Sequence, residues 1–366
     1  MNHGLGQSVK ALSKAPSKAP LVNTVTGPLS VHELGITLPH EHIFLDISCW
    51  WCQPRDHNRS ALINVQVAEV DRDLLLADPY HNRDNLILDD ADLAAAELGL
   101  FSEAGGRTVV DLSTRSIGPY PQKLQDMARR TGLNIISGTG FYVKRAHTDE
   151  VTMSSPEELA VQMVKELSQG IGNTEICAGV IGELGTSSPI HPDEAKVLRA
   201  AAQAHEITGA PINIHLTIFA EEGNKVLDIL ENVGVDPHFV ALSHLDERIA
   251  RDYHVSLAKR GCFIEFDCFG SECRFDEDQM REPSDLERVD ALLFLLEAGF
   301  QKQLLLSQDV CTKMQLRKFG GNGYDHILRS IIPLLKRRGI SDAVVNELLV
   351  VNPARFLAGK VKAGHA

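Results

Sequence analysis

No apolar run in this 366-residue chain approaches the length of a membrane-spanning helix. Met1 to Pro20 lack the apolar stretch of a secretory signal. With Lys10, Lys14 and Lys18 among Ala, Ser and Pro, they read as a flexible arm ahead of one domain over residues 21–366. Positive charge is also short, because 36 Lys and Arg against 49 Asp and Glu leave −13. A surface of that sign repels nucleic acid and anionic lipid, so neither is expected as a partner. The seven cysteines form no paired framework, which excludes a disulfide scaffold and points to reduced thiols in a cytoplasmic setting. Cys49-x-x-Cys52 has no second pair and reads as structural. There is no internal repeat and no glycine-rich nucleotide fingerprint, which argues against a doubly wound dinucleotide fold.

Short β-branched runs alternate with helical patterns. The runs end at His40-Glu41-His42, Leu112, Gly138, Glu183, His215, His244, Asp267 and Asp309. Most are apolar on both faces, as strands buried in a parallel sheet should be. Helices are expected over Asp90–Ala104, Pro121–Thr131, from Ser155, and over His191–Thr208, Glu221–Val233, Asp246–Arg260, Ser284–Ala298 and Tyr324–Arg338. Several stop at a glycine, and Ser155-Pro-Glu-Glu has the cap-then-proline form of a helix start. Eight alternations make a (β/α)8 TIM barrel the expected α/β fold. Leu21–Leu34 reads as a short hairpin turning at Gly27-Pro28 and plugging one end, and Ser341–Ala358 as a closing helix.

His40 and His42 stand two apart on one strand, so both side chains point to the same face. They suit two ligands of one metal ion; the alternative is a surface pair near a strand end. Glu183, His215, His244 and Asp309 fall at the ends of the fourth, fifth, sixth and eighth strands, where such barrels carry their active sites. Four imidazoles and two carboxylates suit two divalent ions, most simply Zn²⁺ with a bridging hydroxide. Two Zn²⁺ against two carboxylates and one hydroxide leave a net +1, enough to polarise a carbonyl or phosphoryl oxygen. Glu41 points to the opposite face and is left out of the set.

Several segments carry a family resemblance: Gly35-Ile-Thr-Leu-Pro-His-Glu-His42, Ile135-Ile-Ser-Gly-Thr-Gly-Phe-Tyr142, Gly179-Val-Ile-Gly-Glu-Leu-Gly185, Ser243-His-Leu-Asp246, Phe266-Asp-Cys-Phe-Gly270, Gly320-Gly-Asn-Gly-Tyr-Asp-His-Ile327 and Asn352-Pro-Ala-Arg-Phe356. Over about Thr24 to Leu357 the chain resembles the phosphotriesterase family of the amidohydrolase superfamily, in particular its phosphotriesterase-related, or resiniferatoxin-binding, branch. The resemblance implies that His40, His42 and Asp309 hold a buried α metal and that His215 and His244 hold a β metal. Glu183 would bridge them where phosphotriesterases proper carry a carboxylated lysine, so no CO₂ is needed for assembly. Asp309 is the expected catalytic proton shuttle. Cys268 follows Asp267 where related lactonases carry an arginine, which argues against their lactonase chemistry.

Tyr142 and Asp267 are expected at the substrate, and Asp246 behind a ligand imidazole, with a helix N-cap as its alternative. Lys144, Arg145, Arg274 and Lys313 lie in loops at the active-site end, where one could pair with an anionic substrate group. The segments Cys49–Asn85 and Phe269–Pro283 are expected to form the rim. The expected activity is hydrolysis of a small amide, ester or lactone, an N-acyl amino acid or amino sulfonate among them. The alternatives are a phosphoric ester hydrolase and a non-catalytic binder of small ligands. A homodimer is expected from the family and from the abundance of two-fold assemblies.

Overall fold

A computed structural model describes residues 19–360. Of the N-terminal arm expected over 1–20, all but Ala19 and Pro20 lies outside the described residues. Eight parallel strands pair in chain order into a nearly closed (β/α)8 TIM barrel: β1 Thr37–Glu41, β2 Thr108–Asp111, β3 Asn134–Thr139, β4 Val180–Gly185, β5 Ile212–His215, β6 Val240–Leu242, β7 Phe263–Phe266 and β8 Leu304–Leu306. Between them run α1 Ala91–Glu103, α2 Pro121–Thr131, α3 Pro156–Ser168, α4 Pro192–Thr208, α5 Gly223–Glu231, α6 Arg251–Ala258 and α7 Asp285–Glu297; α8 Ile332–Arg337 continues a π-helical turn at Ile327–Ile331. No helix among the described residues is long and apolar enough to cross a membrane.

Strand periodicity sorts the core into two layers. Val109, Ile135, Ile181, Ile212, Ile264 and Leu304 belong to the cluster that packs strands against helices. Their chain neighbours Val110, Ile136, Val180, Phe263 and Leu305 fall in a second cluster inside the barrel. That cluster is closed below by Val22, Val31 and Leu34 of the N-terminal segment and by Phe356 and Leu357 of the last helix, Asn352–Leu357. The hairpin is therefore a plug, as expected, but it turns earlier than expected. Its strands are Leu21–Thr24 and Gly27–Ser30. Thr24 closes the turn by accepting from Thr26 N and donating to Gly27 O at 2.7 Å. Pro28 sits in the second strand opposite Asn23, a place open to proline on an edge.

Ser155 caps α3 through a capping box with Glu158, as its sequence suggests. The helix expected from Asp246 begins only at Arg251. Residues 246 and 247 are instead fully buried, and both pair with Arg288 of α7. A buried arginine needs such partners, and this need overrides local helical preference.

The seam between β1 and β8 is closed by side chains. Glu41 accepts from Ser307 Oγ at 2.7 Å and from the backbone N–H groups of Gln308 and Val310 at 2.8 Å each. His40 N donates to Ser307 Oγ at 3.2 Å.

Candidate metal centre

Moving up the barrel axis, the interior changes from apolar to polar. Above the apolar layer stand Asn213, Ser243 and Glu265. Asn213 Nδ2 and Ser243 Oγ donate to Glu265 Oε2 at 2.7 and 2.8 Å. Above these, at the C-terminal ends of the strands, the structure brings together His40, His42, Glu183, His215, His244 and Asp309. His42 Nε2 lies 3.2 Å from both Glu183 Oε1 and Asp309 Oδ1. His40 Nε2 lies 3.5 Å from Glu183 Oε2 and 3.8 Å from Asp309 Oδ1. On the other side, His215 Nδ1 lies 3.0 Å from Glu183 Oε2 and 2.8 Å from His244 Nε2. Glu183 thus stands among four imidazoles, Oε1 toward His42 and Oε2 toward His40, His215 and His244.

A glutamate reaches this position because β4 is set unusually close to its neighbours. Gly182 has φ 134, and a Cβ there would meet Asn213 O at 2.4 Å. A Cβ on Gly138 would meet Gly182 O at 1.9 Å. The register of β4 against β5 shifts between Ile181 and Leu184, turning Glu183 inward.

The donor set fits metal ions. His40 Nε2 and Asp309 Oδ1 are buried and have no hydrogen-bond partner, a costly state for polar atoms that an ion would relieve. The second ring nitrogens are held from behind. His40 Nδ1 lies 2.9 Å from Asp267 Oδ2, and His244 Nδ1 3.1 Å from Asp267 Oδ1. His42 Nδ1 lies 2.9 Å from Ser113 Oγ. Donation from Nδ1 leaves the Nε2 lone pair free for a cation. Burial disfavours charge on His42, but Asp309 and Glu183 outweigh it and push its pKa up to about 9. Burial likewise opposes ionisation of Glu183, yet the surrounding imidazoles hold its carboxyl well below the usual range. The site is built to hold positive charge, whether protons or ions.

Two expected roles change. Asp267 does not face the pocket; it is fully buried beneath the histidines and ties His40 to His244. Asp246 touches no imidazole, and Ala250, not Asp246, is the N-cap of α6. Its oxygens accept from Asp267 N at 3.2 Å and Cys268 N at 3.0 Å, and its partner is Arg288. It therefore steadies the backbone that carries Asp267. Ser113 and Glu41 were missed as supports. Glu41, whose pKa burial raises to about 7 against the N–H groups it accepts from, brackets Asp309 by holding residues 308 and 310. A carboxylate inside an apolar strand was itself the available signal, since such groups are rarely buried without partners.

Above the centre lies a pocket walled by Trp50, Pro79, Tyr80, Tyr142, Ser271, Cys273 and Glu282, so both expected rim segments contribute. Tyr142 packs its ring edge-on against His215, with centroids 4.7 Å apart, and its hydroxyl accepts from Trp50 Nε1 at 3.1 Å. Of the loop cations, Lys144 is engaged by Asp193, Arg274 by Asp73 and Asp276, and Lys313 by Asp84. Arg145 lies over the ring of Trp50, 5.3 Å from its centroid.

Comparison with known proteins places this geometry. The phosphotriesterase family profile matches residues 20–357. N-acetyltaurine hydrolase of Xenopus tropicalis is 36% identical over 343 residues, spanning 93% of this chain and 98% of that one. The human N-acetyltaurine hydrolase is 33% identical over 343 residues, with the same coverage of 93% and 98%. Among solved structures, a resiniferatoxin-binding protein from Rhodobacter sphaeroides superposes with TM-score 0.90 at 36% identity, over 92% of this chain and 95% of that one. The phosphotriesterase homology protein of Escherichia coli, with phosphate in its active site, gives 0.75 at 31% identity, over 88% and 99%.

Proposed function

The chain belongs to the phosphotriesterase family and is a hydrolase; on that footing we propose that it cleaves the amide bond of a small N-acyl amine, with N-acetyltaurine the first candidate. The site would hold two divalent metal ions, most simply zinc, with His40, His42 and Asp309 as ligands of one, His215 and His244 as ligands of the other, and Glu183 between them. The observation that carries this reading is the convergence of these donor atoms, with His40 Nε2 and Asp309 Oδ1 buried and unpartnered. When bound, such ions supply an ionised water and polarise a carbonyl oxygen near neutral pH.

The chain's own residues do the rest. Asp309 lines the pocket and is the carboxylate placed to accept the attacking water's proton and return it to the departing nitrogen. Burial pushes the Tyr142 hydroxyl well above its ordinary pKa, so it stays protonated. Trp50 occupies its acceptor side, which leaves the Tyr142 O–H for substrate. The pocket wall contains Glu247 and Glu282 and neither lysine nor arginine. We infer that an anionic substrate end points toward Trp50, over whose ring Arg145 lies.

The phosphate in the E. coli relative keeps phosphoric esters as a second class. A panel of N-acetyltaurine, N-acyl amino acids, lactones, carboxyl esters and phosphate esters separates the readings. Fastest turnover on N-acyl substrates is expected, and fastest turnover on phosphate esters would replace this reading with the second.

A further inference from the structure

A second group of metal-type ligands lies outside the barrel mouth, where the connection after β1 meets the loop after β7. Cys52, Asp78 and His81 place one ligand atom each within 4.8 Å of one another. His81 Nε2 lies 3.3 Å from Asp78 Oδ2 and 3.7 Å from Glu277 Oε2. Both separations exceed the roughly 2.7–3.2 Å usual for an N–H···O hydrogen bond. They are close to the spacing of about 3.3–3.4 Å between nitrogen and oxygen ligands that share a tetrahedral ion at bond lengths of about 2.0–2.1 Å.

Each carboxylate has one oxygen anchored and the other turned inward. Asp78 Oδ1 accepts from Tyr80 N at 3.0 Å, leaving Oδ2 for the cluster. Glu277 Oε1 accepts from the backbone N–H groups of Arg55 and Asp56 at 2.9 and 3.1 Å, and Arg55 N also reaches Oε2 at 3.1 Å. The ordinary alternative is a His81 that simply pairs with the two acids. His81 is 8% exposed, so its ring lies out of bulk water with Nε2 turned toward the two carboxylates.

We propose that Cys52, Asp78, His81 and Glu277 bind a further divalent ion, most simply zinc, which clips the β1 connection to the β7 loop. One thiolate, one imidazole and two carboxylates form a closed tetrahedral set of the structural kind. Three anionic ligands and a divalent ion leave −1; Arg55, paired with Asp278 at 2.7 Å, lies 3.9 Å from Glu277 Oε2. The clip has a consequence for substrate, resting on the pocket reading above. Pro79 and Tyr80 lie between Asp78 and His81, and Trp50 lies two residues before Cys52; all three wall the pocket. The ion would therefore fix the aromatic wall that meets the substrate, without touching the reacting atoms.

The test loads the full-length protein with Co²⁺ and with Zn²⁺ and compares wild type, Cys52→Ser and His81→Gln. Wild type should show a thiolate-to-cobalt charge-transfer band in the near ultraviolet and hold one more equivalent of zinc than either variant. His42→Asn should lose metal from the barrel centre yet keep the band, so failure of one site is distinguishable from failure of the other. Equal zinc content in wild type and both variants, or a band that survives Cys52→Ser, would overturn the proposal.

Discussion

The two ends of the barrel are built from the same eight strands and differ in almost everything else. At the lower end, Val110, Ile136, Val180, Phe263 and Leu305 fill the interior and are sealed by Val22, Leu34 and Phe356. At the upper end the interior positions carry His40, Glu183, His215, His244 and Asp267, all buried. The lower layer is satisfied by contact alone and contributes stability in proportion to the area it hides. The upper layer pays desolvation for every group it buries and is held by directed contacts: Asp267 hydrogen-bonds His244 and lies 2.9 Å from His40 Nδ1, and Glu41 holds the backbone around Asp309. Some of its atoms remain unsatisfied in the protein alone. The contrast teaches that the upper end was not shaped for stability, and that substitutions at the two ends should separate activity from folding.

That separation can be broken or sharpened by mutation. The largest effect is expected for Asp309→Asn, which removes the proton carrier while keeping the shape of the side chain. Turnover should fall about 10²–10⁴-fold with Tm little changed, measured by initial rates and thermal unfolding. Phe356→Ala, at the opposite end, deletes a ring packed edge-on against Phe263, centroids 5.4 Å apart. It should cost about 3–5 kcal/mol in denaturant unfolding while leaving kcat/KM of the folded protein unchanged. A fall in kcat/KM there would show that the ends are coupled. Asp267→Asn keeps volume but offers a donor where two imidazole N–H groups need acceptors. A loss of about 10–100-fold in metal affinity is expected by competition with a chelator. The smallest effect is expected for Glu41→Gln, which turns one of the acceptors holding residues 307–310 into a donor. Stability should drop about 1–3 kcal/mol, and kcat should fall with little change in KM, because Asp309 is mispositioned rather than removed.

The difference between the ends also explains what could be read from the sequence. The strands and the positions of the six candidate ligands were legible because each candidate lies at or just beyond the end of a short apolar run, and chain order fixes the order around the barrel. The supports were not legible in the same way. Ser113 meets His42 across 71 positions and Asp267 meets His40 across a still longer gap, and no local spacing announces such contacts. Asp246 looked like a helix cap because Asp246–Arg260 has helical composition, but the buried Arg288 draws Asp246 and Glu247 inward and delays the helix to Arg251. The hairpin turn was misplaced because Gly27-Pro28 carries turn residues, while the Thr24 hydroxyl closes the chain two residues earlier, at Val25-Thr26.

The polar end of the barrel is proposed to be a metal-dependent hydrolytic centre in which Glu183 takes the place of a carboxylated lysine. Its most direct test strips metal from the protein with a chelator and restores Zn²⁺ in bicarbonate-free buffer while following acetate release from N-acetyltaurine. Hydrolysis should disappear with the metal and return with Zn²⁺ alone. Undiminished hydrolysis by the stripped protein, or recovery that requires bicarbonate, would contradict it.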